Sequence, residues 1–223
     1  MVRPLIINAE HKIAAGMVTL QGNLAMPEEA TAVVLFVHGS GSSRHSPRNQ
    51  FVARVLNAAG LATLLFDLLT PDEEREDIHN ARHRFHIDLL ASRLQHATEW
   101  TLQQKQTRRL RIGYVGSSTG GGAALVAAAE RPDDVDAVVS RGGRPDLAGD
   151  ALSRVKAPAL LIVGGRDEVV LDLNQRAQRR MRCEVKLEIV PGATHLFEEP
   201  GALDRVAHLA KDWFLRHSAA KSG

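Results

Sequence analysis

The chain has 223 residues, 44% of them hydrophobic and 24% charged, with a formal net charge of +2. That is enough apolar material for one core in a single domain over residues 1–223, while near-neutral charge, no basic block and only 4% aromatics leave no footprint for nucleic acid. The lone Cys183 excludes an internal disulfide, and no apolar run approaches the ~20 residues of a membrane span. Met1-Val2-Arg3-Pro4 leads into no signal-like core, so the expected setting is soluble and cytoplasmic, without a membrane partner.

In chain order, Leu5-Ile6-Ile7 and roughly Met17 to Leu24 read as two antiparallel strands flanking a turn at Ala15-Gly16. Pro27-Glu28-Glu29 breaks the chain. Ala32 to Val37 is a continuous apolar run, the pattern of a strand buried on both faces of a parallel sheet, and it ends in His38-Gly39-Ser40-Gly41. Pro47 to Gly60 is an amphipathic helix with Phe51, Val55 and Ala58 or Ala59 on its apolar side. Leu61 to Phe66 is the next buried strand, closed by Asp67. From Thr70 to Trp100 two apolar stripes occupy opposite helical faces, which one surface helix does not carry. A break near His86 resolves this, with a charged loop or short helix from Pro71 and a true helix from about Asp88 to Gln104.

Arg111 to Gly116 is a short strand running straight into the alanine-rich helix that starts near Thr119 and stops at Arg131-Pro132. Val135 to Ser140, Pro158 to Val163 and Val185 to Val190 are further strands. Helices are expected around Leu147 to Arg154, from Val170 to Arg182, and from Gly201 or Ala202 to about His217, with a polar tail from Ser218. Strands alternating with helices give an α/β class fold, a doubly wound, mostly parallel sheet preceded by an antiparallel hairpin. Ligands bind such sheets outside the carboxyl ends of the strands. Four polar clusters sit there: His38 to Gly41, Ser118, Asp167 and His195.

Gly116-Ser117-Ser118-Thr119-Gly120 has the Gly-x-Ser-x-Gly spacing of a nucleophile elbow, and only Ser118 fits its register. The bland alternative is an ordinary glycine-rich strand–helix turn. A serine hydroxyl is protonated at neutral pH and needs a base, which in turn needs an orienting carboxylate. Asp167 and then His195 follow in the order Ser, Asp, His that accompanies the elbow. Asp167 could equally cap the helix after it, and Asp146 is a rival acid. Negative charge on a tetrahedral intermediate needs donors, here the backbone amides of Thr119 and Ser40, with Gly41 as the neighbour of the second. His38 reads as structural. His79 and His83 are spaced i, i+4 but lack a third ligand, and a solvated face explains them better than a metal. No Lys-Ser/Thr pair follows Gly120-Gly121-Gly122, so that loop is not a phosphate cradle.

His38-Gly39-Ser40-Gly41, the elbow, Gly164-Gly165-Arg166-Asp167 and Gly192-Ala193-Thr194-His195-Leu196-Phe197, in that order, make the chain resemble the α/β-hydrolase superfamily. From about Met17 to Phe214 it is most similar to the small dienelactone-hydrolase-like members without a large cap domain. The resemblance implies an eight-stranded, mostly parallel sheet and a small-molecule ester or acyl substrate. It implies Ser118 as nucleophile, Asp167 as acid and His195 as base, without metal or organic cofactor. Dienelactone hydrolases proper use a cysteine nucleophile; serine here points to a general carboxylesterase rather than lactone ring opening. A thioesterase or acyltransferase with the same triad, or a silent binding scaffold, are the alternatives. Arg44, His45, Arg82, His83, Arg84 and Arg141 follow strand ends and are expected to rim the crevice; Arg44 and Arg141 are the candidate substrate contacts, favouring acyl groups or esters that carry a carboxylate.

Overall fold

A computed structural model describes residues 4–218. The N-terminal Met1 to Arg3 and the expected tail from 219 to 223 lie outside the described residues. Eight strands form one sheet: β1 Leu5–Ala15, β2 Val18–Pro27, β3 Ala32–Val37, β4 Ala62–Phe66, β5 Arg111–Ser117, β6 Val135–Arg141, β7 Ala159–Gly164 and β8 Val185–Val190. Their spatial order is β1-β2-β4-β3-β5-β6-β7-β8. β1 and β2 pair antiparallel, β2 joins β4 antiparallel, and every later pair is parallel. The helices are α1 Pro47–Ala58, α2 Pro71–Asn80, α3 Ile87–Gln103, α4 Thr119–Glu130, α5 Glu168–Arg180 and α6 Ala202–His217, with a 3₁₀ segment over Pro145–Arg154.

The strands β3, β4 and β7, apolar but for Thr63, are buried along their whole length, because helices cover both faces of the sheet. One core contains Leu35, Leu64 and Tyr114 with α3 and α4; the other contains Phe36, Val115 and Val139 with α1 and α6. Phe214 in α6 is fully buried in the second, worth about 1.5–3 kcal/mol in apolar burial.

β1 is much longer than the expected Leu5-Ile6-Ile7, because its polar half still pairs in register with β2, from Asn8 opposite Ala25 to Ala15 opposite Val18. The apolar face of α1 also differs from expectation. It buries Asn49, Val52, Ala53, Leu56 and Asn57, while Phe51 and Val55 lie at its border and Ala58 is exposed. Asn57 is accommodated because its amide donates to Leu61 O at 2.9 Å and Thr63 Oγ1 at 3.1 Å.

The expected break near His86 is present, with α2 and α3 on either side. α2 starts on a capping box: Thr70 N donates to Glu73 Oε2 at 2.8 Å and Glu73 N to Thr70 Oγ1 at 3.2 Å. The turn between the two helices is clasped by Asp77, whose buried carboxylate accepts from the amides of His83 at 2.6 Å and Arg84 at 3.0 Å, and from Arg84 Nε at 2.7 Å. Desolvation of Asp77 opposes ionisation, but these donors outweigh it and hold its pKa below the ordinary carboxylate value.

Candidate active site

β5 and α4 meet at Ser118, which has φ 51° and ψ −124°, a conformation that a residue with a side chain adopts only under constraint. The constraint comes from the glycines on either side. A Cβ on Gly116 would lie 2.4 Å from Gly120 O, and one on Gly120 would lie 2.2 Å from Val37 O. The turn therefore closes this tightly only with hydrogen at both positions, and α4 is pressed against the end of β3. Ser118 O accepts from Gly121 N at 3.0 Å and Arg144 N at 2.9 Å, pinning the strained residue from two directions.

The three expected triad residues come from three strand ends. Asp167 follows β7, His195 follows β8, and His195 Nδ1 lies 2.6 Å from Asp167 Oδ2, the distance of a charge-assisted bond with Nδ1–H donating. Asp167 stands at the N-cap position of α5 but makes no side-chain cap hydrogen bond; its carboxylate faces the imidazole instead. The rival Asp146 is occupied by the guanidinium of Arg144, with both contacts at 2.8 Å. Ser118 and His195 line one pocket of about 210 Å³, together with Gly39, Ser40 and Arg141. Among the described hydrogen bonds none joins the serine to the imidazole.

The amides of Ser40, Gly41 and Thr119 find no acceptor among the described residues. Thr119 N is the first amide of α4, where the helix leaves a donor unpaired and its dipole favours negative charge. The side chains matter here as well as the backbone: Ser40 Oγ and Thr119 Oγ1 are 3.2 Å apart, and Ser40 Oγ donates to Arg84 O at 3.4 Å. The loop after β3 is thus fastened both to the elbow and to the clasped turn after α2. His38 supports it from below. Its Nε2 accepts from Leu68 N at 3.0 Å, which leaves Nδ1–H for Gly39 O at 3.0 Å. Burial of that ring pushes its pKa below the usual histidine value.

The two expected substrate contacts part company. Arg44 is held away from the serine: Nη1 pairs with Asp67 and Nε donates to Asn23 Oδ1 at 2.9 Å, in the wall of a separate cavity of about 370 Å³. Arg141, the last residue of β6, lies in the serine's own pocket. It is buried, its Nη2 donates to Asn49 Oδ1 at 3.1 Å, and its Nη1 has no partner among the described residues. Burial, and then repulsion from Arg48, push its pKa down to about 10. Of the other cations, Arg84 is engaged by Asp77, and His83 Nε2 lies 3.2 Å from Glu76 Oε2.

A family model described as the Dienelactone hydrolase family matches residues 20–218. The chain belongs to the dienelactone hydrolase family. Within this family the chain resembles a solved dienelactone hydrolase from Anabaena variabilis, at 57% identity and a TM-score of 0.93, over 95% of this chain and 98% of that one. Est1E from Butyrivibrio proteoclasticus shares the fold at 18% identity, with a TM-score of 0.78 over 93% of this chain and 98% of its own. A curated Mycobacterium tuberculosis protein, provisionally named a phosphoribosyl transferase, is 59% identical over 214 residues, 96% of this chain and 47% of that protein. The chain thus spans about half the length of the curated relatives it matches. Family and fold give the chain the α/β-hydrolase architecture.

Three residues around the candidate site escape sequence reading. At the start of α1, a helix that carries no motif, Arg48 lines the pocket and Asn49 holds Arg141. Glu199 accepts from Thr194 N at 3.0 Å and braces the residue before His195. Its hydrogen bonds to Thr194 hold its pKa below the usual carboxylate value. The only signal for Arg141 facing the pocket is strand parity, since Ala137 and Val139 share its side of the sheet.

Proposed function

We propose that the chain is a serine hydrolase that cleaves carboxylic esters through an acyl-enzyme on Ser118. The reading rests on one observation above all. The imidazole of His195, fixed by Asp167 at 2.6 Å, and a serine held at φ 51° open into the same pocket. With Nδ1–H committed to the carboxylate, Nε2 is left as the basic nitrogen. Ser118 Oγ attacks the ester carbonyl as Nε2 takes its proton, and the amides of Thr119 and Ser40 receive the developing oxyanion. His195 then gives the proton to the leaving oxygen, an alcohol departs, and the same nitrogen activates water to release the acid. No step calls on a metal or organic cofactor.

The serine favours simple esters over lactones as substrates. The test is turnover of short activated esters. Wild-type hydrolysis with an initial burst, and a loss of about 10⁴-fold or more in Ser118→Ala, supports the reading. Equal activity in the two proteins removes Ser118 from the chemistry, and turnover of thioesters alone converts the label to thioesterase.

A further inference from the structure

Two cavities of opposite character share the loop of Gly39, Ser40 and Ser42 beside the serine. On the side of α2 and α3 a narrow space of about 30 Å³ runs past Ser40 and Thr119 and is walled by Leu68, Leu69 and Leu90. Its guanidinium, Arg84, is already paired with Asp77, and Glu74 adds a negative wall. On the other side lies the pocket of about 210 Å³ that holds Ser118 and His195, and there the character is cationic. Arg141 and Arg48 both line it, close enough for Arg48 to lower the pKa of Arg141. A guanidinium buried this deeply with Nη1 unpaired, beside a second cation, is costly unless an anion joins it. Glu198 meets Arg48 at 3.3 Å, but that pair is at the surface and leaves Arg141 unanswered. The N-terminus of α1, capped by Ser46, points its field at the same pocket.

The shape of the donor set says which anion. One Nη2 hydrogen of Arg141 is committed to Asn49 Oδ1, and the other donors in the pocket come from separate side chains rather than from one fork. The pocket gathers donors from four residues: Arg141 with its unpartnered Nη1, the Arg48 guanidinium, and the hydroxyls of Ser42 and Ser46. Ser46 Oγ accepts from Asn49 N, so its own proton is free. Three or four separated donors suit a tetrahedral group with three terminal oxygens.

We infer that this pocket binds a phosphomonoester carried on the alcohol half of the substrate, and that the chain hydrolyses short-chain acyl esters of phosphorylated alcohols. The inference rests on the serine-hydrolase reading above. The alcohol half is placed on this side because His195, which must protonate the leaving oxygen, lines this pocket and not the narrow one. The narrow apolar cavity takes the short acyl chain. In the step itself, Ser118 Oγ bonds to the carbonyl carbon, the carbon–oxygen bond to the alcohol breaks, and the serine proton passes through His195 to that oxygen. The phosphate ester is untouched and leaves with the alcohol.

Three acetyl esters of similar size test this on the intact chain: 2-acetoxyethyl phosphate, 3-acetoxypropionate and 2-methoxyethyl acetate, with acetate release as the readout. The expected result is a kcat/KM for the phosphorylated ester about 10- to 100-fold above the neutral one, the range of one or two charge-assisted hydrogen bonds. That ratio should fall towards one in Arg141→Gln and part of the way in Arg48→Gln. The second variant tests the pocket even if the first fails to fold. Inorganic phosphate should also slow fluorophosphonate labelling of Ser118. A neutral ester hydrolysed as fast as the phosphorylated one, or a carboxylate ester preferred equally, overturns the phosphate subsite while leaving the hydrolase reading standing. Failure of all three esters together with an unlabelled Ser118 overturns both.

Discussion

Replacing Asp167 by Asn separates an orienting carboxylate from a helix cap. In the structure its Oδ2 is 2.6 Å from His195 Nδ1 and its side chain is 15% exposed, while that of His195 is 36% exposed. When His195 takes the serine proton it becomes an imidazolium against that carboxylate. Unit charges about 4 Å apart at an effective dielectric near 20 attract by about 4 kcal/mol, or about 10³-fold in rate at 1.36 kcal/mol per decade. The exposure of the ring screens part of this, so about 10²-fold is the floor. Asn adds a second penalty that Ala does not: its amide can donate to Nδ1, which moves the ring proton to Nε2 and removes the base. The expected outcome is a kcat loss of about 10³-fold or more for Asp167→Asn, at least as large as for Asp167→Ala, with KM little changed. Since Asp167 makes no cap hydrogen bond, thermal stability should fall by well under the ~1 kcal/mol of a lost N-cap. Steady-state kinetics beside thermal melts reads both. A kcat within tenfold of wild type with a clear drop in stability would refute the reasoning and return Asp167 to the role of a cap.

Gly120→Ala drives a methyl into Val37 O and His38 O, backbone atoms that cannot give way; a loss of about 3 kcal/mol or more, seen as a lowered denaturation midpoint, is expected, and a stable variant would contradict the tight-turn argument. Ser40→Ala keeps the backbone amide and removes the hydroxyl link between Thr119 and Arg84, so kcat should drop only about 2- to 10-fold, and no change would show the link to be idle. His38 gives a pH signature. Its folded pKa lies below the unfolded value of about 6.5 because of burial, so the unfolded chain binds the extra proton first. Its contribution is complete above about pH 6.5 and is lost as pH falls from there towards the folded pKa. His38→Gln should flatten the decline of stability with falling pH in that window, and an unchanged slope would count against it.

What could be read from the sequence was what leaves no second solution. Gly116 and Gly120 admit only one turn, and that turn sets Ser118, so the elbow was legible from five residues. The break before α3 was legible because two stripes cannot share one surface helix. The face of α1 was not, since it turns on Asn49 and Asn57, polar side chains whose burial is repaid by Arg141, far along the chain, and by Leu61 and Thr63, before and on the next strand. β1 was cut short for a related reason: hydropathy sees apolar pairs, whereas much of this edge strand is held by backbone pairing with β2. Arg44 and Arg141 look alike as loop cations. Only their partners, Asp67 for one and, among the described residues, none for the Nη1 of the other, separate a guanidinium held in an ion pair from one left open to the serine's pocket.

The most direct test of the central claim is covalent trapping: incubate the folded chain with a fluorophosphonate, digest it, and locate the mass added. The account expects one adduct, on Ser118, absent from Ser118→Ala and strongly slowed in a His195→Ala variant. An adduct on another residue, or none on folded protein, contradicts it.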